Sequence, residues 1–311
     1  MNSKRIPLIA VVLCLVTASM ATGASFPLPH ELSGGESNYV VQPGDSLTLI
    51  GARFGVSISM LSALNRLDAT VVLKPGRQIL IDNRHVVPDL FADGIIVNVP
   101  QRMLFLFRAG ETVAAYPVAV GRSDPKWRTP ASRFTVVRMD ENPIWLVPVS
   151  IQREMAEEGD EVETRVKPGP DNPLGRYRVK LSIPEYAIHD TIAPASIYGF
   201  RTHGCIRLFP DNAKTFFGQA RVGMIGEIIY EPILLARLRD GRIFLEVNKD
   251  IYKRAPDPRV VLRDIVDSHK LRSVIDWGEA EVVLRRRDGI AHEIGVHGAR
   301  PVILRDDDAG E

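Results

Sequence analysis

From Ile95 to Tyr230 the chain keeps returning to short apolar runs that proline or glycine soon interrupts, and this rhythm restricts the fold more than any other feature. Ile95-Ile96-Val97-Asn98-Val99 and Met103-Leu104-Phe105-Leu106-Phe107 flank a Pro-Gln turn. Val113 to Val120, Phe134 to Val137, Tyr177 to Leu181 and Ile228 to Tyr230 continue the series. Short strands bounded by turn residues predict a β-rich sandwich. Two helices are expected within it, around Val149 to Glu158 and around Pro210 to Gly218.

The flanks read differently. After a linker at 25–38, Tyr39-Val40-Val41 leads to a Gly44-Asp45 turn and two short helical patterns. Leu47, Ile50, Ala52 and Phe54 share one apolar face, and Gly55 stands where a helix ends. Met60, Leu61 and Leu64 follow Ser57, Asn65 closes that run, and Lys74-Pro75-Gly76 turns into Gln78-Ile79-Leu80-Ile81. Residues 39–82 thus predict a small βααβ module, with a second linker from Asp82 to Gly94. Beyond Glu231, residues 232–311 predict a hairpin-like piece at Arg242 to Val247, a helix at Arg263 to Val274 and a strand at Val282 to Leu284, with a frayed acidic tail from Asp306.

A net charge of +1 supplies no field to draw in nucleic acid, and Arg285-Arg286-Arg287 reads as a solvated face. At the N-terminus, Lys4 and Arg5 precede an apolar run from Ile6 to Val16 and small residues at Ala18 to Ala24. That is the pattern of a secretory signal peptide over residues 1–24, cut after Ala21 or Ala24. Any membrane contact then ends with its removal. Of two cysteines, Cys14 leaves with the signal and Cys205 stays alone. A lone thiol in an oxidising compartment has no internal disulfide partner, so it is either reactive or paired with another molecule.

Cys205 sits in Thr202-His203-Gly204-Cys205-Ile206-Arg207, downstream of Ile188-His189-Asp190-Thr191. A thiol attacks as its thiolate, and a nearby histidine can take that proton and return one to a leaving amine. His189 and His203 are both candidates. In an extended segment His203 and Cys205 would share a face. Gly204 leaves the backbone uncrowded, so its amide and that of Cys205 are candidate oxyanion donors. Arg207 is a fixed charge able to lower the thiol pKa or hold a substrate carboxylate. Zinc ligation by the histidines and Cys205, with Asp190 nearby, is the weaker reading, because structural zinc sites use four ligands in tight pairs. A buried, inert Cys205 is the other alternative.

Two resemblances sharpen this. Tyr39-Val40-Val41-Gln42-Pro43-Gly44-Asp45-Ser46-Leu47, Ala63-Leu64-Asn65 and Leu73-Lys74-Pro75-Gly76-Arg77-Gln78-Ile79-Leu80-Ile81 together resemble a LysM module. That implies a hold on N-acetylglucosamine chains near Gly44, Asp45, Ser46, Leu73 and Pro75. The Thr202-to-Arg207 stretch with His189 upstream resembles the YkuD-type L,D-transpeptidase catalytic domain over 93–231, in its periplasmic, ErfK-like branch. Val120-Gly121-Arg122, Thr129-Pro130 and Asn172-Pro173-Leu174-Gly175 add to the likeness.

The resemblance implies Cys205 as nucleophile and His189 as base and acid, oriented by the Asp190 carbonyl. It implies Thr202, His203 and Arg207 as pocket residues, and the Gly204 and Cys205 amides as the oxyanion hole. It implies a peptidoglycan tetrapeptide donor, with a stem amine, a lipoprotein lysine or water as acceptor, no cofactor or metal, a periplasmic location and inhibition by carbapenems. The alternatives are an L,D-carboxypeptidase and a non-catalytic wall-binding protein. Asp190 stands where that branch usually has glycine, which places a carboxylate beside His189. Ala131-Ser132-Arg133 likewise departs from the usual glycine after Thr129-Pro130.

Overall fold

The computed structural model describes residues 27–88 and 91–296. The expected signal peptide and the tail from Asp306 lie outside them. In the N-terminal module, β1 (Leu32–Ser33), β2 (Glu36–Val40), α1 (Leu47–Phe54), α2 (Ile58–Asn65), β3 (Gln78–Asp82) and β4 (His85–Val86) follow one another. Ser46 and Ser57 cap the two helices by accepting from the amides of Leu49 and Met60, which satisfies donors a helix start leaves open. β2 and β3 pair antiparallel, and Leu47, Ile50, Leu61, Ile79 and Ile81 close a core beneath the helices. The segment expected to be a linker is instead structured. β1 pairs with β4, and His85, Val86 and Val87 are fully buried.

The central domain comprises β5 (Gly94–Asn98), β6 (Met103–Arg108), β7 (Glu111–Gly121), β8 (Ser132–Glu141), β9 (Trp145–Leu146), α3 (Val149–Glu158), β10 (Arg165–Val166), β11 (Tyr177–Leu181), β12 (Ala187–His189), β13 (Phe200–Thr202), β14 (Ile206–Leu208), α4 (Pro210–Gln219) and β15 (Ile225–Ile229). The expected β-rich domain is one mixed sheet in the order β13-β7-β14-β12-β11-β8-β15-β5-β6. A further β6–β7 pairing closes it into a barrel, which removes the free edges an open sheet would leave. The long strand β7 makes closure possible: its first half pairs with β6 and its second half with β14 and β13. Inside lie Val97, Leu106, Val118, Val136, Ile188, Ile206 and, from α4, Phe216.

Two features of this sheet set up chemistry. β12 and β14 run parallel with His189 opposite Arg207 and Ile188 opposite Ile206, so the residue entering β14, Cys205, lies beside β12. Between β8 and β11 the chain leaves the barrel as a small lid. β9 and β10 pair at its base, and α3, which has no fully buried residue, crosses above.

The C-terminal module is a three-stranded sheet of β16 (Ile233–Arg237), β17 (Ile243–Val247) and β18 (Ala291–Glu293), backed by α5 (Pro258–Ser268) and α6 (Trp277–Arg286). The strand expected at Val282 to Leu284 is a correction: those residues belong to α6. Asp276 caps that helix by accepting from the amides of Gly278 and Glu279, and Ala280, Val283 and Leu284 recur at helical spacing into the core. The helix expected at Arg263 to Val274 begins earlier, at Pro258, and stops at Ser268.

Candidate functional site

Cys205 rides on a tight turn between β13 and β14. Gly204 has φ +112, and a Cβ there would lie 2.7 Å from the Tyr186 ring, so only glycine fits. Thr202 pins the turn from below. Its hydroxyl donates to the Cys205 carbonyl at 2.6 Å and accepts from the Gly204 amide at 3.0 Å. Thr129 then donates to the Gly204 carbonyl at 2.7 Å. This corrects one expectation: the Gly204 N–H already serves Thr202 and does not stand free for an oxyanion. The turn's side-chain bonds leave the Cys205 amide out. The half-buried thiol points toward β12 and its preceding turn, where the Glu185 carbonyl accepts from Sγ at 3.6 Å.

His189 is buried at the end of β12, and the Asp190 carbonyl lies 2.5 Å from its Nδ1. A carbonyl only accepts, so Nδ1 carries the proton and Nε2 keeps the lone pair. Burial, reinforced by the charges of Arg207 and Arg178, pulls the imidazole pKa down to about 3. The Asp190 carboxylate turns away from the ring. It accepts from the Arg176 and Thr191 amides at 3.0 and 2.6 Å, filling the space where a Cβ at Gly175 would sit. Burial pushes the Cys205 thiol up, against the Ala187 amide and the charges of Arg207 and Arg178, which pull it down. At neutral pH the pair therefore rests as thiol and neutral imidazole.

Thiol and imidazole open onto a cleft of about 1280 Å³, roofed by the lid and also lined by Trp127, Tyr186 and Arg207. Arg178 is held on its wall by two bonds to Asp140, at 3.0 and 2.7 Å. Asn172, fully buried, ties down the root of the lid by donating to the carbonyls of Pro143 and Lys167.

His203 lines the same cleft, but its ring is engaged by another element. The segment is a turn and not a strand, and it sends His203 to Glu154 of α3, with Nε2 2.5 Å from Oε2. Its ring meets Trp127 edge-on at 4.5 Å between centroids, and Arg122 reaches the other Glu154 oxygen at 2.8 Å. Burial would lift the Glu154 carboxyl, but bonds from Arg122 and His203 outweigh it and hold it below its ordinary value.

In the N-terminal module, Gly44 and Pro75 are exposed, while Asp45 is occupied in accepting from the Tyr39 hydroxyl at 2.6 Å and the Gln42 amide at 2.8 Å. Ser46 is the helix cap already described. Leu73 is a correction: only 7% exposed, its side chain belongs to the module's core and offers a ligand no more than main chain.

Comparison with known proteins accords with both regions. A family model described as the L,D-transpeptidase catalytic domain matches residues 92–229, and the LysM domain model matches 39–82. A protein of Salmonella typhimurium named Probable L,D-transpeptidase ErfK/SrfK is 30% identical over 305 residues, covering 92% of this chain and 96% of its own. The chain belongs to the L,D-transpeptidase family. Another relative, Probable L,D-transpeptidase YcfS of Escherichia coli, is 28% identical over 91% of this chain and 92% of its own. A solved L,D-transpeptidase from Mycobacterium smegmatis is 20% identical with a TM-score of 0.35, and the alignment covers 43% of this chain and 57% of that one.

Within this L,D-transpeptidase framework, three contributors to the site were not foreseen from sequence. Tyr186 walls the turn, Glu154 anchors the lid, and Tyr252 reaches in from beyond the barrel. Tyr252 left no signal in the sequence, since it lies far along the chain in a stretch with no recognisable pattern. Thr129 was visible only as part of a Thr-Pro pair, with no hint that its hydroxyl bears on Gly204.

Proposed function

We propose that this chain performs acyl transfer on peptidoglycan tetrapeptide stems, with Cys205 as nucleophile and His189 as its general base and acid. The observation that carries this reading is the register of β12 and β14. It sets the thiol's turn beside a strand whose histidine has Nδ1 fixed by a carbonyl and a lone pair left on Nε2. Sγ attacks the carbonyl of the third stem residue as Nε2 takes the thiol proton. The Cys205 amide is the proposed donor to the developing oxyanion. When the intermediate collapses, His189 returns the proton to the departing D-alanine amine and a thioester remains. An acceptor amine then attacks, His189 removes its proton, and Cys205 is released as a thiol.

Arg207 serves the donor as a carboxylate contact and biases the thiol toward its anion. Thr202 holds the turn, and Asp190 orients His189 through its carbonyl. The acceptor distinguishes a 3–3 cross-link from attachment of a lipoprotein lysine, and water makes the chemistry a carboxypeptidase reaction. The exposed loop at Gly44 and the Pro75 turn are the proposed contacts with the glycan, and the periplasm is the proposed location.

The test is intact-mass spectrometry of the protein with disaccharide-tetrapeptide, beside Cys205→Ala. An acyl adduct lacking one D-alanine, on the wild type alone, is the expected result. Carbapenem should likewise acylate the wild type and not the variant. A folded, reduced wild type that forms no adduct and releases no D-alanine would sink the proposal and favour a binding role.

A further inference from the structure

The C-terminal module sends Tyr252 into the barrel's core cluster, with Ile251 packed against it. Tyr252 follows β17 and is 1% exposed, packed within the barrel's own core cluster. Its ring stacks on Tyr230 at 5.3 Å between centroids and meets Phe200, on the strand that leads to the nucleophile turn, at 5.9 Å. Its backbone is fixed as firmly. The Tyr252 amide donates to the Tyr230 hydroxyl at 2.8 Å, and that hydroxyl donates to Asp250 at 2.6 Å.

The hydroxyl of Tyr252 joins two segments of backbone. It donates to the Gly121 carbonyl at 2.7 Å and accepts from the Thr129 amide at 3.1 Å. The Thr129 hydroxyl accepts from the Gly121 amide at 2.9 Å and donates to the Gly204 carbonyl at 2.7 Å. The Tyr252 hydroxyl and the peptide preceding Cys205 are thus separated by one residue. All these groups are buried, where an unmet donor or acceptor is costly, so the hub has one low-energy arrangement.

We propose that Tyr252 is a positioning residue for Cys205, acting through Thr129, and that the C-terminal module belongs to the catalytic unit for this reason. The proposal rests on the acyl-transfer reading for its kinetic test but not for its chemical one. Losing the hydroxyl strands the Gly121 carbonyl and the Thr129 amide, the hub relaxes, and the Gly204 peptide shifts with the thiol it orients.

The experiment compares the full chain with Tyr252→Phe, which keeps the ring stack and removes only the hydroxyl. Cys205 alkylation by iodoacetamide is followed from about pH 6 to pH 10, together with kcat and KM for D-alanine release from disaccharide-tetrapeptide. The expected result is a folded variant with a displaced alkylation profile, kcat lower by about tenfold or more, and KM within about twofold. A purely structural role would lower the melting temperature and leave both readouts in place. Superimposable alkylation profiles and an unchanged kcat would overturn the proposal. If the wild type releases no D-alanine, the acyl-transfer reading fails, and the alkylation profile still decides the role of Tyr252. Should Tyr252→Phe not fold, Thr129→Val and Thr129→Ser take its place. Serine should recover the alkylation profile that valine loses, and equal behaviour of the two would count against the hub.

Discussion

At Cys205 burial and charge act in opposite directions, and burial prevails. The thiol therefore ionises above its ordinary 9.0, with Arg207 and Arg178 limiting the rise. Arg207→Gln should move the alkylation midpoint further up and slow the reaction at pH 7, where less thiolate remains. His189 has the opposite sensitivity to acid. Its folded pKa of about 3 lies below the ordinary 6.5, so between those values the unfolded chain holds a proton that the folded chain lacks. Stability is then independent of this residue above about pH 6.5 and falls as pH drops toward 3. His189→Asn should flatten that slope, a difference that urea titrations at pH 7 and pH 4.5 will read. On the acyl-transfer reading, the low value also keeps His189 available as a base in weak acid. The acid limb of kcat/KM for the free enzyme is expected well below pH 6.5.

Among the elements, α3 depends most on a few contacts. It buries no residue fully, and Glu154 fastens it to the Cys205 turn through His203 and to the segment just after β7 through Arg122. Such part-exposed pairs are individually weak, so Glu154→Gln should raise KM about threefold with little loss of overall stability. Steady-state kinetics beside thermal melting checks both halves of that statement. The same element was legible in the sequence because its boundaries are marked by Pro148 and by Gly159, which takes a left-handed conformation. The short strands β12, β13 and β14 were not, since three residues carry no periodicity of their own and exist because the barrel pairs them. Val282-Val283-Leu284 misled for a related reason. β-Branched residues favour strands only weakly, and a capped helix with a buried face overrides them. Cys205 and His189 were readable as residue types in a pattern. Their supports were not, because Thr129, Glu154 and Tyr252 meet Cys205 only through the fold.

For the molecule as a whole, the decisive contact is a fully buried carboxylate where all three modules meet. Glu246 of β17 accepts from the Val86 amide and from Gln101 with one oxygen. With the other it meets Asn248 and His85, whose Nε2 lies 3.0 Å from the Gly55 carbonyl at the end of α1. Leu49 and Ala52 of α1 pack nearby against Ala119, Ile197 and Phe209 of the barrel domain. Glu246→Ala would leave several donors stranded together and should cost about 3 to 5 kcal/mol. Denaturant titration should also show the wild type unfolding in one transition and the variant in more than one.

This joint has a consequence for how the molecule would address a polymer. A sugar-binding module on a flexible tether raises the local supply of every neighbouring site, whereas one seated on a fixed mount serves a single displacement and misses the rest. On the acyl-transfer reading, the stems within reach of Cys205 are therefore selected by their offset along the strand that the N-terminal module grips. Bonds made by such a molecule would inherit that offset as a preferred spacing in the wall.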